Sequence, residues 1–245
     1  MFRVVYPKLF QNYSKYQGIE LNDAAGPTVA FEAEIPKIPN SMFWLSYTKI
    51  LKLPALASVP ASSGLTVASY PEDSGDFDLA CFHVQANDIN KSGLDCFFTV
   101  ASVNYDPSSQ GTVFTNGYEV GLWGDNVNGN LGESQDGYAL YTGIRYKLPF
   151  EGLKNPSIGL EYNHGSEHWN GLLSAGSGDL ISKLGVNGDA YELYYIQPID
   201  KKHMFCRIGG VYMDYDYYNP MLFYGSQTKS DMSITNLYFL MDVRF

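Results

Sequence analysis

YALYTGIRYKL, residues Tyr138–Leu148, alternates along its whole length: Leu140, Thr142, Ile144, Tyr146 and Leu148 fall on one side, and Tyr141, Gly143, Arg145 and Lys147 on the other. Successive side chains of a strand point to opposite faces, so this spacing predicts a β-strand with an apolar face and a polar face. The next stretch repeats it, with Ile158, Leu160 and Tyr162 against Gly159, Glu161 and Asn163. A third follows, with Tyr191, Leu193 and Tyr195 against Glu192 and Gln197. The stretch 77–87 is less regular, because Leu79 and Cys81 share a side with His83 and Gln85.

Extending the period-two reading outward gives about ten segments: 2–6, 28–35, 42–50, 77–87, 95–106, 138–148, 156–164, 189–199, 203–215 and 233–245. The links between them alternate in length. Those around Pro36–Ser41, Asp88–Gly93, Pro149–Asn155 and Asp200–Lys202 are short, and those over 51–76, 107–137, 165–188 and 216–232 are long. Short turns at one end and long loops at the other describe an outer-membrane barrel. A soluble sandwich or barrel has no reason to sort its connections by parity over so many hairpins. The expected fold is all-β: an antiparallel transmembrane β-barrel forming one domain over residues 1–245, either complete or the C-terminal portion of a larger barrel.

Composition agrees. Aromatics are 15% of residues, with 20 Tyr and 14 Phe against 3 Trp, and charged residues are 17%. That mixture favours strands over helices. A net charge of -10 without basic clusters excludes a nucleic-acid partner. No run of about 18 apolar residues occurs, which excludes a spanning helix, whereas a barrel strand needs only about 9–11 residues. No export signal is visible after Met1, so the expectation is either that the signal lies upstream or that this chain is a fragment. Cys81, Cys96 and Cys206 are odd in number and widely spaced, which rules out a disulfide framework. Cys81 and Cys96 could meet across a hairpin, although unpaired thiols are expected.

At the C-terminus Leu237, Phe239, Met241, Val243 and Phe245 are apolar at alternate positions, with Asp242 and Arg244 turned the other way. A terminal Phe closing such an alternation resembles the signal read by the bacterial barrel assembly machinery. The resemblance makes Phe239, Met241, Val243 and Phe245 the assembly signal. It also places the short turns in the periplasm and the long loops outside the cell. The stretches IGLEYNHGSEHWNGLL (158–173) and GDAYELYYIQPIDKKHMFCRIGGVYMDYDYY (188–218) resemble an uncharacterised family of proteobacterial outer-membrane porins, over about the last hundred residues. That likeness implies the outer membrane and its lipid as surroundings. Some such porins are similar to the barrel partners of multihaem cytochromes in electron conduits, so a periplasmic or multihaem cytochrome is a further expected partner. This chain carries no Cys-x-x-Cys-His site of its own, and no cofactor is expected.

The charges expected inside the wall are Arg3, Glu32, Glu34, Arg145, Lys147, Glu161, Glu192, Arg207, Asp242 and Arg244. Arg145, Glu161, Glu192 and Arg207 sit on consecutive strands, where opposite charges pair across a sheet. Arg145, Lys147, Glu161, Glu192, Arg207, Asp242 and Arg244 are the expected pore-lining set, passing small polar solutes or ions. A packed ion-pair network filling a narrow interior is the competing reading.

Other motifs are weaker. His164-Gly165-Ser166-Glu167-His168 has a metalloprotease spacing, but that chemistry needs both histidines on one face of a helix, and here they follow a strand. Ser166 has no Gly-x-Ser-x-Gly elbow, so no enzyme activity is expected. Asp125–Asn130 with Glu133 offers oxygen ligands, yet Val127 stands where a calcium loop needs one, and a flexible acidic loop is expected. Tyr138, Tyr162, Tyr212, Tyr215, Tyr217 and Tyr218 suit membrane-interface girdles. Trp123, Trp169, Phe223 and Tyr224 in the loops could stack on sugars. The expected function is therefore a channel for passive diffusion. The alternatives are a sheath around an electron-transfer protein and a soluble glycan-binding β-protein.

Overall fold

The computed structural model describes residues 1–5, 26–52, 73–108, 112–115, 118–169, 182–200, 204–218 and 225–243. Ten strands form one antiparallel sheet in which each strand pairs with the next of the ten along the chain. They are β1 (Phe2–Val5), β2 (Thr28–Ala33), β3 (Ser41–Ile50), β4 (Gly75–Ala86), β5 (Leu94–Pro107), β9 (Gln135–Lys147), β10 (Ser157–Gly165), β11 (Gly188–Asp200), β12 (Met204–Tyr218) and β13 (Thr228–Val243). All ten expected segments are strands, with ends displaced by a few residues. Among the described residues no pairing joins β1 to β13.

Between β5 and β9, where the sequence reads as loop, three short strands form a second sheet: β6 (Val113–Thr115), β7 (Tyr118–Gly121) and β8 (Gly124–Asp125). Strands this short carry too few alternating positions to register as a pattern.

The register sorts the side chains as the alternation requires. Thr142, Ile144 and Tyr146 of β9 lie beside Tyr162, Leu160 and Ile158 of β10, which lie beside Tyr191, Leu193 and Tyr195 of β11. This outer face is apolar and exposed, reaching 81% at Leu237. On β9 it runs from Tyr138 to Tyr146, about 27 Å along the strand at ~3.4 Å per residue. A strand tilt of ~40° would make that band about 21 Å tall, near the ~25 Å apolar band of outer-membrane barrels.

The other face is the inner one, because the loop segments fold over it. Ile50 of β3, Phe77 of β4, Val103 and Tyr105 of β5 and Ala139 of β9 pack with Val120, Leu122 and Trp123 of the small sheet and Trp169 of the β10–β11 connection. The same small sheet also meets the β12–β13 connection, where the Gly225 amide donates to the Gly121 carbonyl at 2.9 Å. β3 and β13 are seven strand spacings apart, roughly 34 Å in a flat sheet at ~4.8 Å per step. One small insert that meets both β3 and the β12–β13 connection requires the sheet between them to curl around it.

This packing explains the irregular stretch 77–87. Phe77 and Leu79 are inward yet apolar because the insert, not water, covers them. Cys81 lies opposite Ala101 and Cys96 opposite Ala86, on opposite faces, and all three cysteines are free.

Candidate functional site

Below the insert the inner face becomes charged. Glu161 of β10 and Glu192 of β11 are directly opposite in the register, so two carboxylates share one spot on the inner wall. Both are buried, at 9% and 4% exposure. Such a pair is costly unless cations meet it. Arg207 of β12 donates to Glu192. Lys183 bonds both carboxylates at once. Tyr141 and Tyr238 donate their phenol protons to Glu161 and Glu192 respectively.

Rings complete the cluster. The Arg207 guanidinium lies 3.8 Å from the Tyr194 ring centroid and 5.5 Å from that of Tyr238. The Lys183 ammonium lies 5.2 Å from the Tyr141 centroid. Such contacts strengthen when water is excluded. The aromatic rings lie flat on the wall because glycines leave room: a Cβ on Gly159 would fall 2.2 Å from Cζ of Tyr194, and one on Gly209 would fall 2.5 Å from the Tyr238 oxygen. The Arg207 Nε is buried without a hydrogen-bond partner among the described residues.

Lys183 comes from a single 3-10 turn, Lys183–Gly185, in the connection before β11. That turn dips into the interior and is held by its carbonyls. The Asn163 side-chain amide donates to Lys183 O at 3.0 Å, and the Trp169 indole donates to Leu184 O at 2.8 Å. A cavity of about 460 Å³ opens beside the cluster, lined by Tyr141, Lys183, Arg207 and Tyr238 on its polar side and by Phe205, Val211, Met213 and Leu240 on its apolar side.

The structure brings Glu161, Glu192 and Arg207 together as expected from the strands, but separates Arg145 from them. Arg145 pairs instead with Asp95 of β5, at 2.6 Å, at the short-turn end of the inner face. The expected pairing of Arg145 with Glu161 gives way because Gly143, not Arg145, lies opposite Glu161. Lys147 is exposed at the same end, and Asp242 lies opposite Phe205 on β13. Arg3 and Glu32 approach to 3.8 Å at the β1–β2 edge. Arg244 and Phe245 lie outside the described residues, whereas Phe239, Met241 and Val243 are exposed on the outer face of β13. Sequence reading missed Asp95, which opens its strand where parity is ambiguous, and Lys183, which is in a loop.

Several loop expectations are corrected. Trp123 of the insert and Trp169 of the β10–β11 connection are 1% and 5% exposed, so neither presents a face to a sugar. Phe223 and Tyr224 lie outside the described residues. Asp125–Asn130 is a tight turn rather than a flexible acidic loop. The Asp125 carboxylate accepts from the Asn128 amide at 2.6 Å and from the Ser226 amide at 3.2 Å, and the Asn130 side chain accepts from the Asp125 amide at 2.9 Å. Burial pushes the Asp125 carboxyl up, but the hydrogen bonds from Asn128 and Ser226 outweigh it and hold it at about 2.

Of the girdle tyrosines, Tyr138, Tyr162 and Tyr212 are on the outer face, but Tyr215 is buried inside with Val186, Ala190 and Met213. A register shift between Tyr215 and Tyr217 then breaks the alternation the sequence reading relied on. The histidine motif occupies a strand end and a turn. His164 bonds Asp189 at 2.9 Å on the outer face, while the His168 ring meets Trp123 edge-on at 5.6 Å. Ser166 accepts from the Tyr138 amide at 2.9 Å. Among the described residues no group of three or more His, Cys, Asp or Glu could hold a metal ion.

The ion-paired wall, the ring-lined cavity and the apolar outer face are the properties to be matched by any relative. No curated protein and no solved structure matches the chain. Residues 7–243 match the family described as a protein of unknown function, DUF3373, and the chain belongs to that family.

Proposed function

We propose that the protein is an outer-membrane channel whose sheet faces lipid on its apolar side and encloses a narrow polar path on the other, passing small polar solutes or ions. The supporting observation is the contrast between the faces. Leu45, Phe82, Ile144, Leu160, Leu193, Ile208 and Leu237 are exposed on one, and Glu161, Glu192, Lys183 and Arg207 are gathered on the other. An exposed apolar surface of this extent on a soluble monomer would promote aggregation. No helix among the described residues is long and apolar enough to cross a membrane, which leaves crossing by strands open.

In this reading Arg145, Lys147, Asp95 and Asp242 surround the short-turn entrance, and Glu161, Lys183, Glu192 and Arg207 form the charged layer above it. Acids and bases are matched in that set, so charge selectivity is weak. The insert β6–β8 fills the interior toward the long loops, so conductance falls well below that of open porins of about 16–18 strands. The same insert occupies the space that a sheathed electron-transfer protein would need.

The test is export of the chain to the outer membrane, extraction in detergent, and comparison of unboiled and boiled mobility, followed by planar-bilayer recording. A mobility shift with small, reproducible unitary currents supports the proposal. Soluble, unshifted protein, or a shifted barrel without current, removes it.

A further inference from the structure

Resting on the channel reading, we propose that the Glu161–Glu192 pair is a recognition site for primary alkylammonium solutes, with Lys183 acting as its tethered occupant. The wall itself leaves the pair short of cations. Among the described residues Arg207 forms its ion pair with Glu192, and the ion pair of Glu161 is with Lys183 rather than with a cation on a strand. The ammonium that completes the site arrives from outside the sheet, on the turn Lys183–Gly185.

The site fits that head group. A primary ammonium has three donors, and Lys183 spends two of them on the two carboxylates while lying 5.2 Å from the Tyr141 ring centroid. Beside it the cavity of about 460 Å³ offers Phe205, Val211, Met213 and Leu240 to a hydrocarbon chain. That volume lies within the roughly 300–1,000 Å³ usual for small-molecule sites. The backbone of the turn is fixed by Asn163 and Trp169, so exchange needs only the Lys183 side chain to swing away. A solute ammonium then replaces one of the same chemistry, with no net change in charge at the acid pair. Quaternary ammonium ions lack the donors, and anions meet two carboxylates.

The proposal is tested on the full chain in detergent by calorimetric titration with butylammonium chloride, with tetramethylammonium chloride as control. An occupant that fills the site nine-tenths of the time weakens apparent affinity about tenfold. Lys183→Met, which keeps the stem without the charge, is therefore expected to bind butylammonium about tenfold more tightly than the unaltered protein. Adding Glu161→Gln should abolish the gain, and tetramethylammonium should show none. Unchanged or weaker binding by Lys183→Met overturns the proposal, as does a gain that survives Glu161→Gln.

Should Lys183→Met not refold, the unaltered protein grown with lysine labelled with carbon-13 at Cε gives the same answer. The Lys183 resonance, assigned by its loss in Lys183→Arg, must shift as butylammonium is added, and a static resonance overturns the proposal. Binding is read here without current. A protein that binds the amine in this way but does not conduct keeps the site and loses only the channel.

Discussion

At the loop end the inner face is filled by Phe77, Tyr105, Trp123 and Trp169, while further along the same sheet it carries Tyr141, Glu161, Glu192 and Arg207. Phe77 and Tyr105 occupy inward positions of the same alternation as the second set, while Trp123 and Trp169 reach them from the connections. The two sets differ in what covers them. The first meets the apolar side of the β6–β8 insert, so burial of large rings stabilises it. The second faces a cavity, where charges persist because Lys183 and Arg207 neutralise the two carboxylates. An inward position on this sheet is therefore not a polar position by rule, and its character follows the loop above it.

The difference can be broken from the apolar side first. Trp123→Ala removes a fully buried ring that touches Tyr105 and His168, and is expected to cost about 3–5 kcal/mol. Urea unfolding in detergent and limited proteolysis of residues 113–134 would read it; an unchanged midpoint would show that the insert does not support the sheet. In the charged layer, Gly159→Val would push the Tyr194 ring off the wall and strip the stacking face from Arg207. An overpacking cost of about 1–3 kcal/mol is expected, with Gly159→Ala milder, and equal stability of both variants with the parent would refute the close approach.

Acid separates the layers in a graded way. Burial pushes the His168 imidazole below its usual range, although Glu167 and Asp136 pull it back up. A depressed histidine contributes stability that is present above the unfolded value of about 6.5 and is lost as pH falls through the folded value. The insert should therefore loosen as pH drops below about 6.5, seen as faster hydrogen exchange around Trp123 and Trp169. His168→Phe should remove that step, and its persistence at the same pH would assign it elsewhere. Asp125, held at about 2, gives a second loss between about pH 4 and pH 2 as its carboxylate is protonated.

The smallest effect on stability is expected at the short-turn end of the inner face. Arg145 and Asp95 form a partly exposed pair, worth less than about 1 kcal/mol. Arg145→Ala should leave the unfolding midpoint nearly unchanged while shifting the bilayer reversal potential toward cations. Identical currents would remove Arg145 from the path of the proposed channel.

Much of the fold was legible from YALYTGIRYKL outward. Alternation predicts the strands, and the parity of long and short connections predicts their antiparallel order, because a strand has only two faces and a hairpin needs only a tight turn. Glu161, Glu192 and Arg207 were legible on the same ground. Lys183 was not, since a lysine in a loop has no periodic partner to announce it. Trp123 and Trp169 misled for the same reason: an aromatic in a connection reads as exposed until the chain around it is folded.

Sequence alone therefore determined the strands, their order and the two faces, which are local consequences of side-chain alternation. Tertiary structure decided that β6–β8 turns inward to cover Phe77 and Tyr105, and that Lys183 enters to join Glu161 to Glu192. Both depend on contacts between residues far apart in the chain, where closing the loop is opposed by entropy and favoured only by the packing and charge pairing that it completes.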